Sequence, residues 1–170
     1  TSTVSVNATA GFSIVTYTGT GATATVGHGL GVAPKMIITK SRTSLDGWGV
    51  YHAAITNAYN YALQLQSTAA IPSPANSYWN STSPTSTVFS INTSNLTNYA
   101  GTMVAYCFAE IAGYSKFGSY TGNGSADGPF VYCGFRPRYI LVKQTTAASA
   151  TSWWIVDTAR QEYNANNLSL

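Results

Sequence analysis

The chain has 170 residues and a mass of 18.0 kDa, which is enough to bury a substantial core in one or two domains without covalent staples. Only 8% of its residues are charged and 45% are hydrophobic, so its solubility must rest on Ser, Thr, Asn and Gly, and its surface suits neighbouring subunits or neutral ligands. The net charge of +3 is scattered over eight cations and five acids, which excludes the dense basic surface of a nucleic-acid binder.

The apolar runs and the cysteines set further limits. No apolar run approaches the length of about 18 residues that a membrane-spanning helix needs, and no segment has the charged start and apolar centre of a leader. We therefore expect no membrane insertion. Cys107 and Cys133 each lie in an apolar, strand-like pattern. Buried free thiols are the first interpretation, and a disulfide is the alternative because two cysteines do not define a framework.

Taken in chain order, the sequence predicts short strands separated by turns. Residues 1–10 alternate Thr, Ser, Ala and Val, which suits an edge strand or a linker. Period-two alternation predicts strands at residues 12–17 and 22–26. The same pattern and the apolar runs further along predict strands at residues 35–40, 48–55, 59–66, 88–91 and 102–109, with a short helix as the alternative at residues 59–66.

Two irregular regions complete this prediction. The segment that holds Pro72, Pro74 and Pro84 is expected to lie outside the sheets, because Pro cannot donate to a sheet ladder. We expect Trp79 to hold this long loop to the body of the protein. A weak helical pattern is confined to residues 159–167, so the predicted fold is an all-β, antiparallel β-sandwich or jelly-roll-like structure.

Two stretches of the chain have the same design. Residues 31–40 (GVAPKMIITK) and 134–143 (GFRPRYILVK) each place a Gly three residues before a Pro, then a cation, an apolar run and a closing Lys. The match extends in both directions: residues 11–21 (GFSIVTYTGTG) correspond to residues 113–124 (GYSKFGSYTGNG), and residues 48–52 (WGVYH) correspond to residues 153–157 (WWIVD).

The separation between the copies drifts slowly, as small loop insertions would cause: 102 residues at Gly11 and Gly113, 103 at Pro34 and Pro137, and 105 at Trp48 and Trp153. A period of this length exceeds solenoid and propeller units and is close to the size of a small domain. We therefore predict an internal repeat of about 100 residues. Its parts are residues 1–10 as a linker or edge strand, 11–112 as the first β repeat, and 113–170 as the first half of a second repeat, packed with the first or with a neighbouring subunit. This organisation indicates a segment of a longer polypeptide or one layer of an interlocked assembly.

The sequence is poor in candidates for catalysis or metal binding, so no catalytic residue, metal or cofactor is predicted. His28 and His52 lack the spaced Cys, Asp or second His of a metal motif, and a structural or solvent-facing role is the favoured interpretation for both. A glycosidase needs two carboxylates that converge. The acids are widely separated, and Asp46 and Asp127 lie in turn-like sequences; the available set is Asp46, Glu110, Asp127, Asp157 and Glu162.

The aromatic residues offer more than the titratable ones. Flat apolar surface flanked by hydrogen-bonding groups can stack on sugar rings, although core packing and subunit contacts are the stronger interpretation for the set as a whole. Trp153 and Trp154 are adjacent on a predicted strand, so they face opposite sides. One should be core, and the other should lie at an interface or be available to a ligand. The candidates for glycan or interface contact are Trp48, Trp79, Tyr120, Trp153 and Trp154.

Together with residues 104–109 (VAYCFA) and 27–35 (GHGLGVAPK), the duplicated blocks resemble the repeated β-domain of unnamed function found in long virion proteins of marine and cyanobacterial tailed phages. In those proteins the domain neighbours laminin-G or concanavalin-like sandwich modules. The resemblance covers nearly the whole chain from Gly11. It implies a virion structural protein of a tail fibre or another host-facing appendage, and it brings no catalytic residues or calcium site with it.

We therefore expect a non-enzymatic module of the virion, an extracellular particle, that associates with copies of itself and with other virion proteins. It is expected to present a surface to host glycans and to bind no nucleic acid. One alternative is a capsid decoration or other structural virion protein without a receptor role. Another is a glycan depolymerase domain, which would gather two or three carboxylates in one groove.

Overall fold

The computed structural model of the chain describes residues 2–72, 74–146, 151–159 and 168–169. Almost all regular structure in these residues is antiparallel β-sheet, which confirms the predicted fold class. No helix in the described ranges is long and apolar enough to cross a membrane. The strands are β1 Ser2–Asn7, β2 Phe12–Thr18, β3 Ala24–Gly27, β4 Met36–Ser41, β5 Gly49–His52, β6 Leu63–Gln64, β7 Val88–Ile91, β8 Thr102–Phe108, β9 Tyr139–Val142, β10 Trp154–Asp157 and β11 Leu168–Ser169; the helices are a 3₁₀ turn at Ala58–Asn60 and α1 at Asn95–Asn98.

The strands form three sheets. The largest has the order β1-β2-β8-β4-β5-β6, the second pairs β3 with β7, and the third has the order β11-β10-β9. β8 follows β7 in the sequence but lies between β2 and β4, where it pairs with both along its length. This long-range insertion joins the two ends of residues 12–108 into one sheet.

The main core lies between the six-stranded sheet and the β3–β7 sheet. Inward residues alternate with outward ones on β2 and β8, as the pleat of a half-buried strand requires. The two faces meet in one apolar cluster, so these sheets form the two layers of a sandwich. The cluster includes Val15 and Tyr17 of β2, Ile37 of β4, Met103, Ala105 and Cys107 of β8, Val26 of β3, and Phe89 and Ile91 of β7.

Trp79 holds the long irregular segment between β6 and β7 to this core, as predicted. Its side chain is 1% exposed, and its Nε1–H donates to the Tyr61 carbonyl oxygen at 2.7 Å. The indole meets Tyr51 edge-on at a centroid distance of 5.7 Å and Phe89 at 6.3 Å. The loop therefore covers the sandwich although it contains little regular structure.

The three-stranded sheet packs on the opposite face of the six-stranded sheet. Trp153 and Leu141 enter a second apolar cluster with Met36, Val50 and Leu63. The Trp153 Nε1–H donates at 2.9 Å to the carbonyl oxygen of Gln64, the last residue of β6. The second region of the chain is thus packed with the first, through apolar contacts and hydrogen bonds.

The small sheet has the same strand order and register as one half of the large sheet. β4 pairs Met36 with His52, and β9 pairs Tyr139 with Asp157. Each of the four β4–β5 pairs has a counterpart among the β9–β10 pairs. The residue number in the counterpart is higher by 103 on the first strand and by 105 on the second. The third strands also agree, because Gly49 pairs with Gln64 and Trp154 pairs with Ser169.

Local features agree at separations of 102 to 105 residues. Lys40 Nζ donates to the Asp46 carbonyl oxygen at 2.6 Å, and Lys143 Nζ donates to that of Thr151 at 2.5 Å. Glycines at matching positions share positive φ values, a conformation that favours Gly. They are Gly11 (65°) with Gly113 (75°), Gly21 (68°) with Gly124 (70°), and Gly31 (74°) with Gly134 (81°).

The second region departs from the first between β8 and β9. The duplicated pattern predicts a counterpart of β2 near residues 114–121, yet the described residues 112–138 form no strand. β2 is held between β1 and β8, and no described strand takes either position in the second region. A strand without a neighbour cannot satisfy its backbone groups, so this segment stays irregular. The duplication of the whole module remains a prediction.

Several sequence predictions need correction. Cys133 does not lie in a strand; it is half-buried in an irregular segment, whereas Cys107 is buried in β8, and both thiols are free. The strand predicted at residues 48–55 ends at His52, and residues 59–66 contain part of a 3₁₀ turn and only two strand residues. The helix proposed for residues 159–167 lies outside the described residues except for Ala159.

Candidate functional site

An aromatic-lined hollow lies at one end of the six-stranded sheet, where the β1–β2 turn meets the chain after β8. We call it the Tyr114 concavity. Its volume is about 310 Å³, and a neighbouring depression of about 390 Å³ shares Asn7, Ala10 and Tyr114 with it. It is lined by Asn7, Ala10, Phe12, Phe108, Ala109, Tyr114, Ser115 and Phe117.

The floor of the concavity comes from paired strand ends. Phe12 of β2 is opposite Phe108 of β8, and their rings are tilted by 38° at a centroid distance of 4.9 Å. Gly11 lets the chain turn immediately before Phe12, with φ of 65°. A Cβ atom there would lie 2.8 Å from the Ala109 carbonyl oxygen, so a larger residue would push the two strand ends apart.

A tight turn places Tyr114 at the rim. The amides of Tyr114 and Ser115 both donate to the Ile111 carbonyl oxygen, at 3.0 and 2.9 Å. Ser115 Oγ closes the turn, because it accepts from the Ile111 amide and donates to the Ala109 carbonyl oxygen. The phenol of Tyr114 is nevertheless 67% exposed. A fixed backbone therefore presents a large aromatic surface to solvent.

A charged pair follows this turn. Lys116 Nζ lies 2.9 Å from Glu110 Oε1, and both side chains are partly exposed. Glu110 Oε2 also accepts from the Phe117 amide at 3.2 Å. The hydrogen bond from Lys116, then that from Phe117, lowers the pKa of the Glu110 carboxyl. Glu110 is therefore ionised at neutral pH and is not poised to donate a proton.

The histidines have structural roles. His28 is completely buried; its Nδ1 accepts from the Leu30 amide at 3.2 Å, and its Nε2 lies 3.2 Å from the Thr85 carbonyl oxygen. Burial lowers the pKa of His28 despite the opposing bond to Thr85. The His52 Nδ1 accepts from the Ala54 amide at 3.3 Å, and burial lowers the pKa of this ring too. Both imidazoles are thus held neutral at pH 7.

The carboxylates make local contacts on separate elements. Asp46 Oδ2 accepts from Ser44 Oγ at 2.5 Å within the β4–β5 turn, and Asp157 Oδ1 accepts from the Ala159 amide at 3.0 Å. Asp127 lies in an exposed turn closed by Ser125. Glu162 lies outside the described residues. In the part of the chain that the structure describes, no group of three His, Cys, Asp or Glu side chains could hold a metal ion.

The structure divides the predicted aromatic set. Trp79 and Trp153 are 1% and 4% exposed, so they must be removed from the candidates for glycan contact. Both indoles are drawn into the interior by an Nε1–H bond to a carbonyl oxygen and by apolar neighbours. Trp48 is half-buried and stacks on Tyr106 at 6.4 Å. Trp154 and Tyr120 are 41% and 55% exposed, and neither lines the Tyr114 concavity.

Sequence reasoning missed Tyr114 as a candidate. Its only local signal is the Gly113–Tyr114 pair after a predicted strand, because an aromatic residue in a turn is exposed unless something covers it. The position of Phe12 beside Phe108 was not readable, since it depends on the pairing of β2 with β8. Chemically, the concavity offers aromatic faces beside amide and hydroxyl groups, which suits the face of a sugar ring.

A family described as a domain of unknown function (DUF7483) matches residues 1–170. Searches of curated proteins and of solved structures found no significant match.

Proposed function

We propose that this chain, which belongs to the DUF7483 family, a domain of unknown function, is a non-enzymatic structural module of a phage virion. In this proposal it forms part of a tail fibre or another host-facing appendage, and the Tyr114 concavity contacts host glycans. It associates with copies of itself and with other virion proteins.

The observation that carries the glycan part is the exposed ring of Tyr114, which lines the same concavity as the paired rings of Phe12 and Phe108. Sugar binding needs a flat apolar surface flanked by hydrogen-bonding groups. The concavity is open to solvent, so a single site should bind weakly. Repetition of the module in an appendage would compensate through avidity.

The virion part is supported by sequence. The duplicated blocks resemble the repeated β-domain of phage virion proteins, and the low charge content suits a surface that touches other subunits and neutral glycans. A rigid sandwich that carries its recognition residues in surface turns is a common arrangement for adhesion, because loops tolerate variation and the sheets do not.

The test is binding of the fluorescently labelled full chain to an array of bacterial surface polysaccharides and oligosaccharides. We expect saturable binding to a subset of these glycans, and we expect Tyr114→Ala to weaken it about tenfold, a loss of about 1.4 kcal/mol. Tyr132→Ala is the matched control, because Tyr132 is similarly exposed and lies outside the concavity. No glycan bound, or equal losses in the two variants, would refute the proposed contact.

Two further measurements test the virion role: where the chain lies in the particle, and whether it cleaves a polysaccharide that it binds. An antibody against the chain should label the tail of a phage that encodes it, whereas label on the capsid would favour a decoration protein without receptor function. Release of reducing sugar ends from a bound polysaccharide would instead favour a depolymerase. Either of these results would replace the proposal.

A further inference from the structure

Among the described residues, large apolar side chains on one face of the three-stranded sheet are exposed. Ile140 of β9 and Val156 of β10 are cross-strand partners, and they are 42% and 37% exposed. Beside them Val142 is opposite Trp154, which is 41% exposed. Three exposed apolar side chains and the half-buried Val142 thus form one patch on a sheet whose other face is packed in the second cluster.

The equivalent face of the six-stranded sheet is sealed. Ile37 and Tyr51, which occupy the positions of Ile140 and Val156, are 0% and 4% exposed. Tyr51 is covered by Trp79, and Ile37 belongs to the cluster that contains Phe89 of β7. The same position in the strand pairing is therefore buried in one sheet and open in the other.

On one side of β9, no strand of the described residues is paired with Leu141. β4 pairs with β5 on one side and with β8 on the other, whereas no described strand pairs with β9 on the side away from β10. Backbone groups of a strand point alternately to its two neighbours. The Ala53 amide donates to the Lys35 carbonyl oxygen at 2.8 Å, and the Thr158 amide donates to the Arg138 carbonyl oxygen at 3.1 Å. Because Arg138 bonds toward β10 and the direction alternates along the strand, the backbone groups of Leu141 point away from β10.

We propose that this edge and face accept an antiparallel strand of the β8 type from a neighbouring module of the same family. The incoming strand would continue the sheet beyond β9, as β8 continues the sheet beyond β4. Such addition of a strand to an exposed edge is a general mode of recognition, in which main-chain bonds supply affinity and alternate side chains supply specificity. The inference does not depend on glycan binding.

The register of β8 predicts the side chains that would meet. Cys107 is opposite Ile37 and Ala105 is opposite Thr39, so small inward residues of the new strand would lie beside Ile140 and Val142. Tyr106 is opposite Ile38, whose counterpart is Leu141. The site therefore favours a strand that alternates small apolar residues with larger ones, which is the pattern of Thr102–Phe108.

The test uses the full chain and a labelled synthetic peptide of residues 101–109, with Ala in place of Cys107 to prevent disulfide formation. Binding is followed by fluorescence anisotropy, and the contact is located by amide hydrogen exchange. We expect one peptide per chain and at least tenfold slower exchange in residues 139–143. A peptide with Ala105→Pro should not bind, because Pro cannot pair as a central residue of a ladder.

Variants of the face separate specific addition from general stickiness. Ile140→Lys should weaken peptide binding at least tenfold, because the Lys side chain would stand in the surface that the new strand covers. Ile14→Lys is the matched control, since Ile14 is 37% exposed on β2 of the large sheet. The Ile14→Lys variant should bind the peptide with an affinity within about twofold of that of the unchanged chain. Circular dichroism of each variant checks that the fold is retained.

Three outcomes would overturn the proposal. Protection of Ser2–Asn7 in place of residues 139–143 would place the peptide on β1, an edge strand of the large sheet. Equal effects of the two Lys variants would mean non-specific association. A chain that is dimeric alone, with residues 139–143 already protected and no peptide uptake, would mean that a second copy of β9 is the occupant.

Discussion

Replacement of Trp79 with alanine should destabilise the protein by about 4 kcal/mol. A buried Trp removes about 200 Å² from water, which is worth about 5 kcal/mol at about 25 cal/mol per Å², and measured Trp→Ala changes in cores cost about 3–5 kcal/mol. The substitution also deprives the Tyr61 carbonyl oxygen of the indole donor at 2.7 Å and removes the edge contacts with Tyr51 and Phe89. Trp79→Phe keeps most of the ring and should cost about 2 kcal/mol.

The assay is urea unfolding followed by far-ultraviolet circular dichroism, because the substitution itself changes the tryptophan fluorescence. Trp154→Ala is the comparison, since that side chain is 41% exposed and should cost less than about 1 kcal/mol in the isolated chain. If Trp79→Ala does not fold, Trp79→Phe still gives a measurable difference. A cost below about 1 kcal/mol for Trp79→Phe, or equal costs for Trp79→Phe and Trp154→Ala, would refute the assignment of Trp79 as the anchor of the long loop.

Two further predictions concern buried polar groups. Asn98→Ala removes one hydrogen bond from the Thr20 amide and two hydrogen bonds to the carbonyl oxygens of Ala22 and Asn92. In urea titrations it should lower the free energy of unfolding by about 3 kcal/mol. Asn95→Ala, at an exposed position nearby, should change the free energy of unfolding by less than about 0.5 kcal/mol. Burial raises the pKa of the Cys107 thiol from 9.0 to about 12, so the folded state keeps a proton that the unfolded state releases. Stability should fall from about pH 9 upward by as much as about 1.4 kcal/mol per pH unit. Cys107→Ala should remove that part of the slope, and parallel curves for the two proteins between pH 8 and 10.5 would contradict it.

Local alternation predicted most strands because one face of each strand is buried and the other is not. β2 and β8 illustrate this, since their inward residues repeat with period two. The opposite orientation of Trp153 and Trp154 was predictable for the same reason, because it depends only on the pleat. The prediction was wrong at Cys133, where an apolar, strand-like pattern lies in a segment with no neighbouring strand to pair with.

The two matched hairpins also show which features the sequence predicted and which it did not. The separations of 103 and 105 residues were visible in the sequence, and the pairs Met36–His52 and Tyr139–Asp157 occur at those separations in the sheets. The sequence did not predict that one hairpin would be covered and the other open. That difference depends on which distant strand lies beside β4 and which lies beside β9.

By itself, the amino-acid sequence determined the all-β class, the turn positions and the alternation of buried and exposed side chains, because these follow from interactions between residues close in the chain. Only the tertiary structure decided that β8 enters between β2 and β4, that Trp153 and not Trp154 is interior, and that Tyr114 lines one concavity with Phe12 and Phe108. Each of these depends on contacts between residues far apart in sequence, for which many pairings satisfy the same local pattern. The pairing that also buries the apolar faces and satisfies the backbone groups is a property of the whole chain.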